Sequence, residues 1–193
     1  MKNFHFFSIV SRMKYINRWG LMRKTREENL SEHSLEVSMI AHALCLIKNK
    51  KLGGNLDAQR AAILGLYHDA SEIFTGDLPT PVKYHNPEIY ESYKKVEQFS
   101  VNKILKMLPD YLLEEYKKIL VPSKDEIYNI VKAADKISAL IKCIEEENAG
   151  NNEFKKAKDR LLKNIEMLKM PEVDIFIQEF LPSYKLSLDE QES

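Results

Sequence analysis

Ser31-Glu32-His33-Ser34-Leu35-Glu36-Val37-Ser38-Met39-Ile40-Ala41-His42-Ala43-Leu44-Cys45-Leu46-Ile47 (31–47) sets the pattern for the whole chain. Val37, Ile40, Leu44 and Ile47 recur at helical spacing and make one apolar stripe. His33 lies four residues before Val37, on the same inward face. His42 is nine residues from His33. At about 100° per residue it falls on the opposite face, as a surface or supporting histidine. Ser31 is the expected N-cap, and the helix is expected to run to about residue 48.

Outward from this segment the helical period dominates. Residues 4–16 read as a first helix. Residues 17–30 are polar and irregular and hold the single tryptophan, Trp19. Thr25 followed by Glu28 reads as a capping box for a short turn. Residues 57–74 read as the next helix, ending before Thr75-Gly76-Asp77. The prolines at 79 and 81 exclude regular helix across 76–81. Further helices are expected over 87–107 and 110–120. Another opens at a second capping box, Ser123 to Glu126, and runs to about 147. The last two are expected over 153–169 and 172–180, followed by an extended tail from Pro182. No strand alternation is present. The expectation is an all-α helical bundle with one domain spanning 1–193.

The length of 193 residues suits one sizeable core. Lys+Arg and Asp+Glu are 29 each, so nothing draws the whole surface to nucleic acid or an anionic membrane. Any anion site must be local. Cys45 and Cys143 sit in apolar helical runs and are expected as reduced core residues. No apolar run approaches the roughly 20 residues that span a bilayer. The N-terminal patch lacks the apolar core of a signal peptide. A soluble cytoplasmic protein is expected.

Three helices carry chemistry on their inward faces. Ala61 and Leu64 lead at helical spacing to His68, with Asp69 next to it and Glu72 four residues on. Ile127, Val131, Asp135 and Ser138 share a face of a later helix. Each residue alone has an ordinary explanation. A histidine on an apolar stripe is usually a satisfied core residue, and Asp135 has Lys132 and Lys136 nearby. Convergence changes the reading, because buried unpaired carboxylates are costly. Two imidazoles and two carboxylates suit a divalent transition metal with open positions for water or substrate.

The order His, His-Asp, distant Asp resembles the HD-domain metal phosphohydrolases. The flanks sharpen the resemblance: Asn17-Arg18-Trp19, Ser31-Glu32-His33-Ser34, Tyr67-His68-Asp69-Ala70-Ser71-Glu72 and Thr75-Gly76-Asp77-Leu78-Pro79-Thr80-Pro81-Val82-Lys83-Tyr84. These look like the bacterial HD-domain 5′-deoxynucleotidases, and the similarity covers essentially the whole chain. The resemblance implies a single HD domain that hydrolyses deoxyribonucleoside 5′-monophosphates with little base preference. It implies metal ligands His33, His68, Asp69 and Asp135, with Asp69 and Asp135 also near the phosphate. Glu72 is then the general acid/base, and Arg18 orients the phosphate. Trp19 walls the sugar pocket, where bulk excludes a 2′-hydroxyl. Asp77, Leu78, Pro79 and Thr80 form the nucleoside loop, with Asp77 accepting from a ribose hydroxyl. Lys83 is not assigned a role. The ion is one divalent metal: cobalt, manganese, zinc or copper. A homodimer is implied, with helices 87–107 and 153–169 serving core or interface.

Two other readings are weighed. Alarmone hydrolases carry His-Asp-x-x-Glu-Asp, but Ile73 follows Glu72 here. The Gly-Tyr-Pro element of cyclic-di-GMP phosphodiesterases is absent. A non-catalytic nucleotide-sensing module is expected to lack Glu72 or a ligand, and all are present.

Overall fold

The computed structural model describes residues 3–83 and 85–192. Tyr84 and the Thr80 side chain, both named above, lie outside the described residues. The protein is all-α. The one extended pairing among the described residues is an isolated antiparallel bridge between Asn17 and Asn29. The chain divides into two compact units. Residues 3–21, 27–35 and 66–123 form the first, and 22–26, 36–65 and 124–192 form the second.

In the first unit, α1 (Phe6–Val10) passes into a 3-10 turn over Ser11–Tyr15. The single helix expected over 4–16 is thus shorter. Ser8 and Ser11 donate their hydroxyls to the carbonyls of His5 and Ser8, at 2.8 and 3.0 Å, a local competition that bends short helices. The unit also holds the start of α2 (Leu30–Lys51), the end of α3 (Ala58–Tyr67), α4 (Glu72–Thr75) and α5 (Thr80–Lys83). It is completed by α6 (Pro87–Leu105) and α7 (Asp110–Leu120). Phe6, Ile104, Leu105 and Leu108 make its core. Phe6 meets the Tyr116 ring edge-on at 4.6 Å, a favoured aromatic geometry.

The helix expected over 57–74 is broken. α3 ends at Tyr67, and residues 68–71 form tight turns. Ala70 N–H donates to Tyr67 O at 3.0 Å and Glu72 N–H to Asp69 O at 2.9 Å. These three-residue closures replace the four-residue ladder.

The second unit holds the rest of α2, most of α3, and α8 (Glu126–Asn148), whose central residues are buried. α9 (Lys155–Glu166) packs along α8, and the 3-10 segment Leu181–Lys185 packs on α8 and on α10 (Pro171–Glu179). Cys45 and Cys143 are buried and unbridged, as expected. Gly65 brings α3 against α2. A Cβ there would stand 2.7 Å from Ser38 Cα, closer than atoms tolerate. Asp125, not Ser123, caps α8, accepting from Tyr128 N–H at 3.0 Å. The tail is not extended. Ser187 and Glu190 form a capping box that opens α11 (Leu188–Gln191).

The expected Thr25–Glu28 capping box does not form either. Thr25 instead donates its N–H and hydroxyl to Glu146 Oε2, at 2.8 and 2.9 Å. Glu146 is 1% exposed. It also accepts from Lys142 Nζ at 2.6 Å and from Asn151 Nδ2 at 2.9 Å. Lys142 and Asn151 then reach the carbonyls of Arg26 and Arg23, at 2.8 and 2.7 Å. This network outcompetes a local cap because it satisfies a buried charge and an irregular loop together.

Burial pushes the Glu146 carboxyl up, but Lys142, Thr25 and Asn151 outweigh it and hold it at about 2. Glu146→Gln is expected to destabilise the protein by about 3–5 kcal/mol at neutral pH, since Lys142 loses its buried partner. A carboxyl held below its ordinary value of 4.5 stabilises fully above that value. The wild-type advantage therefore shrinks as pH falls from 4.5 toward 2. Denaturant unfolding of both proteins across that range checks it. A gap that stays constant with acid contradicts the assignment.

Candidate metal and phosphate site

The start of α2 places His33. Asn29 is the actual cap, and Ser31 lies inside the first turn. Asn29 Oδ1 accepts from Ser31 N–H at 2.9 Å and Glu32 N–H at 3.1 Å. Glu32 Oε2 accepts in return from Asn29 N–H at 3.2 Å, closing a capping box. Leu30 N–H donates to Ile16 O at 3.0 Å, and Arg18 N–H to Glu28 O at 2.9 Å. The 16–18 and 28–30 segments are thereby laid side by side. Asn competes well with Ser as a cap, and here Glu32 at the third helical position decides between them.

His33 is buried on the inward face, as the stripe predicted. Its Nε2 faces Asp69 Oδ2 at 3.6 Å. His68 Nε2 faces the same oxygen at 3.0 Å. The two imidazole rings are tilted at 59°, with centroids 5.2 Å apart. One ligand atom from each of His33, His68 and Asp69 falls within 4.8 Å of the others. Two imidazole nitrogens and one carboxylate oxygen aimed at a common volume form a donor set that fits a divalent transition metal. At 3.6 Å the His33–Asp69 approach is too long for a hydrogen bond. Asp69 is the least enclosed of the three, with 18% of its side chain exposed, and marks the open side. Asp135 stands on α8 of the second unit, on the face of Val131 and the buried Ser138. His42 is half-buried on the other side of α2.

Glu72 is not one helical turn beyond His68 on a continuous helix, because the chain turns at 68–71. It opens α4 and is only 7% exposed. Its Oε2 is buried with no hydrogen-bond partner. Burial, then the charges of Asp69 and Asp77, push its carboxyl up to about 9, against Lys83 and Arg18. A cation beside Asp69 acts in the opposite sense. Gly76, at φ +72, ends α4 and turns the chain into the 77–80 segment.

Arg18 and Trp19 meet this same region. Arg18 Nη1 donates to Glu28 Oε1 at 2.6 Å, and its guanidinium lies 5.8 Å from the centre of the Trp19 ring. Trp19 Nε1 donates to Glu28 Oε2 at 3.1 Å. Trp19 N–H donates to Asp77 Oδ2 at 3.1 Å. Asp77 thus already ties the 77–80 segment to Trp19 through one oxygen. Leu78 and Pro79 are half-buried beside it. Lys83 donates to Glu97 Oε1 at 2.8 Å and lies 4.6 Å from the Tyr93 ring centre, so its charge is balanced locally. Burial lowers the Lys83 amine, but Glu97 outweighs it and holds it above its ordinary value. Glu28, Asn29, Tyr93 and Glu97 were not anticipated. Glu28 was expected only as the capping-box partner of Thr25, and pairing with 16–18 instead brings it to Arg18 and Trp19.

A family model described as 5′-deoxynucleotidase YfbR-like matches residues 5–184. The chain belongs to the YfbR-like 5′-deoxynucleotidase family. A 5′-deoxynucleotidase of Yersinia pestis (strain Pestoides F) is 53% identical over 188 residues, covering 96% of this chain and 95% of that one. An HD-domain phosphohydrolase structure from Listeria innocua matches with TM-score 0.82 and 26% identity, over 98% of this chain and 92% of its own. A cyanophage S-2L HD phosphohydrolase, solved bound to dA and one catalytic Zn2+ ion, shares the fold. Its TM-score is 0.65 at 20% identity, over 92% and 95% of the two chains. In this YfbR-like chain the buried His33 and the half-buried His68 and Asp69 bring together a donor set that fits a divalent metal.

Removing a donor should empty the site. His68→Ala is expected to lose more metal affinity than the roughly 10–100-fold that loss of a supporting partner costs. Elemental analysis of dialysed wild type and variant measures it. Equal metal content in both would remove His68 from the site.

Proposed function

We propose that the protein hydrolyses deoxyribonucleoside 5′-monophosphates to a deoxynucleoside and inorganic phosphate. On this reading one divalent transition metal is held by His33, His68 and Asp69, with Asp135 as the fourth ligand that the family resemblance implies. The observation that carries this reading is the buried approach of His33 and His68 Nε2 to one Asp69 oxygen, with Glu72 close behind. When bound, a divalent cation lowers the pKa of water and neutralises phosphate oxygens.

The residues of the chain supply the rest. Arg18 presents a planar fork of donors matched to a phosphate. A water oxygen forms the new bond to phosphorus, and the bond from phosphorus to the 5′-oxygen breaks. Glu72 delivers a proton to that leaving oxygen and accepts one from water, a role its burial and charged neighbours suit. Trp19 fills the space where a 2′-hydroxyl would stand, so ribonucleotides are rejected by bulk. Asp77, Leu78, Pro79 and Thr80 border the nucleoside, and low base specificity follows from the absence of designated base-edge contacts. Asp69 and Asp135 lie beside the phosphate as well as the metal. The cyanophage neighbour's bound dA and Zn2+ support this substrate class and a zinc-like ion. Cobalt, manganese and copper fit the same donors, since availability and not affinity order selects among them.

The same reading takes residues 1–193 as one functional domain and the protein as a cytoplasmic homodimer. Buried unbridged cysteines support a reducing compartment. No helix among the described residues is long and apolar enough to cross a membrane. Leu35, Met39 and Leu46 lie exposed along one face of α2, an apolar stripe suited to a second copy. Sedimentation at twice the chain mass is the expected result, and the chain mass alone would remove the dimer.

A phosphate-release panel tests the reaction. Deoxynucleoside monophosphates should be hydrolysed well ahead of their ribose counterparts, whichever base they carry. Glu72→Gln should keep its metal and lose turnover by about 10²–10⁴-fold. Equal rates on both sugars would overturn the discrimination, and unchanged turnover in Glu72→Gln would overturn the role of Glu72.

A further inference from the structure

Among the described residues, Trp19 is the one bulky residue near the site held in the left-handed backbone region, at φ +59. For a side chain of this size that backbone conformation is strained. Something must hold it there. Its backbone N–H is taken by Asp77 and its indole N–H by Glu28. Glu28 does more than this. Its two carboxylate oxygens are divided between neighbouring residues, Oε1 accepting from Arg18 Nη1 and Oε2 from Trp19 Nε1. Its own carbonyl accepts Arg18 N–H. The side chains of Arg18 and Glu28 are 11% and 13% exposed, so the pair is largely shielded from water.

We propose that Glu28 is a positioning residue that clamps Arg18 and Trp19 together, so that one carboxylate sets both the phosphate fork and the sugar wall. This rests on the deoxynucleotidase reading above. Glu28 need not touch the substrate. It acts by fixing the distance between a cation that holds phosphate and a ring that rejects a hydroxyl. Selection by bulk works only where the bulk cannot move aside. A mobile indole yields to a 2′-hydroxyl, while a ring pinned at both its backbone and its indole nitrogen does not. His33 Nδ1 lies 3.6 Å from Glu28 Oε1, beyond hydrogen-bond range, so the clamp acts on residues 18 and 19.

Glu28→Gln tests the clamp. Both groups facing residue 28 are donors, and an amide offers one oxygen and one NH2, so it serves only one of them. The chain has a single tryptophan, so its fluorescence reports on Trp19 alone. In folded Glu28→Gln, acrylamide quenching should rise, and the deoxy-to-ribo ratio of kcat/KM should fall about tenfold, as expected for one lost charge-assisted hydrogen bond. Bound metal per chain should stay at the wild-type level. Glu28→Asp, which keeps both oxygens but is one methylene shorter, should fall between the two and carries the test if Glu28→Gln does not fold. An unchanged sugar ratio in a folded variant overturns the proposal. If the wild type itself hydrolyses no deoxynucleotide, the functional reading fails. The quenching comparison then decides the clamp alone, with unchanged quenching overturning it.

Discussion

Two imidazole nitrogens and a carboxylate oxygen cannot share a buried volume cheaply without positive charge among them. The Nε2 atoms of His33 and His68 stand 3.6 and 3.0 Å from one Asp69 oxygen. A cation turns that arrangement from a cost into a binding site. Much of the surrounding structure follows from delivering three side chains to that point from two separate stretches of chain. The capping box at Asn29 and Glu32 fixes where α2 begins and hence where His33 points. Gly65 lets α3 lie against α2 at Ser38, three residues before His68. The turns at 68–71 then direct His68 and Asp69 together and swing Glu72 into a buried position of its own.

A second constraint is imposed on the loop before α2. Residues 17–28 contain no regular helix, so their backbone groups need other partners. In the first unit the Asn17–Asn29 bridge, Glu28 and Asp77 serve Arg18 and Trp19. In the second, Glu146 serves Thr25 and Arg26. Glu28 and Glu146 each hold more than one donor, and Asp77 takes the Trp19 N–H. An irregular loop is thus kept in one conformation by carboxylates, where a flexible loop would leave the arginine fork and the indole without fixed positions.

The pattern of the sequence was enough for the inward face of α2, the placement of His33 and the free core cysteines. Periodicity and burial decide these, and both are local. It also marked His33, His68, Asp69 and Asp135 as candidate donors, because they fall on apolar faces. What was hidden depends on partners distant in sequence. Thr25 was assigned to Glu28 three residues on, but Glu146, 121 residues away, wins because it is buried and already paired with Lys142. Ser31 resembled a cap until the bridge to residues 16–18 favoured Asn29. A continuous helix through 68–72 was a fair reading of periodicity, yet tight turns serve the site better than an unbroken ladder. Glu28 was concealed by its spacing from Thr25, which suggested a local cap, while its actual partners Arg18 and Trp19 lie across the 17–29 bridge.

X-ray absorption at the metal edge of zinc- or cobalt-loaded protein reads the ligand set itself. The expected first shell is nitrogen and oxygen at about 2.0–2.2 Å, with the outer-shell scattering of two imidazole rings and no sulfur. A shell containing sulfur, or one without imidazole scattering, would contradict it.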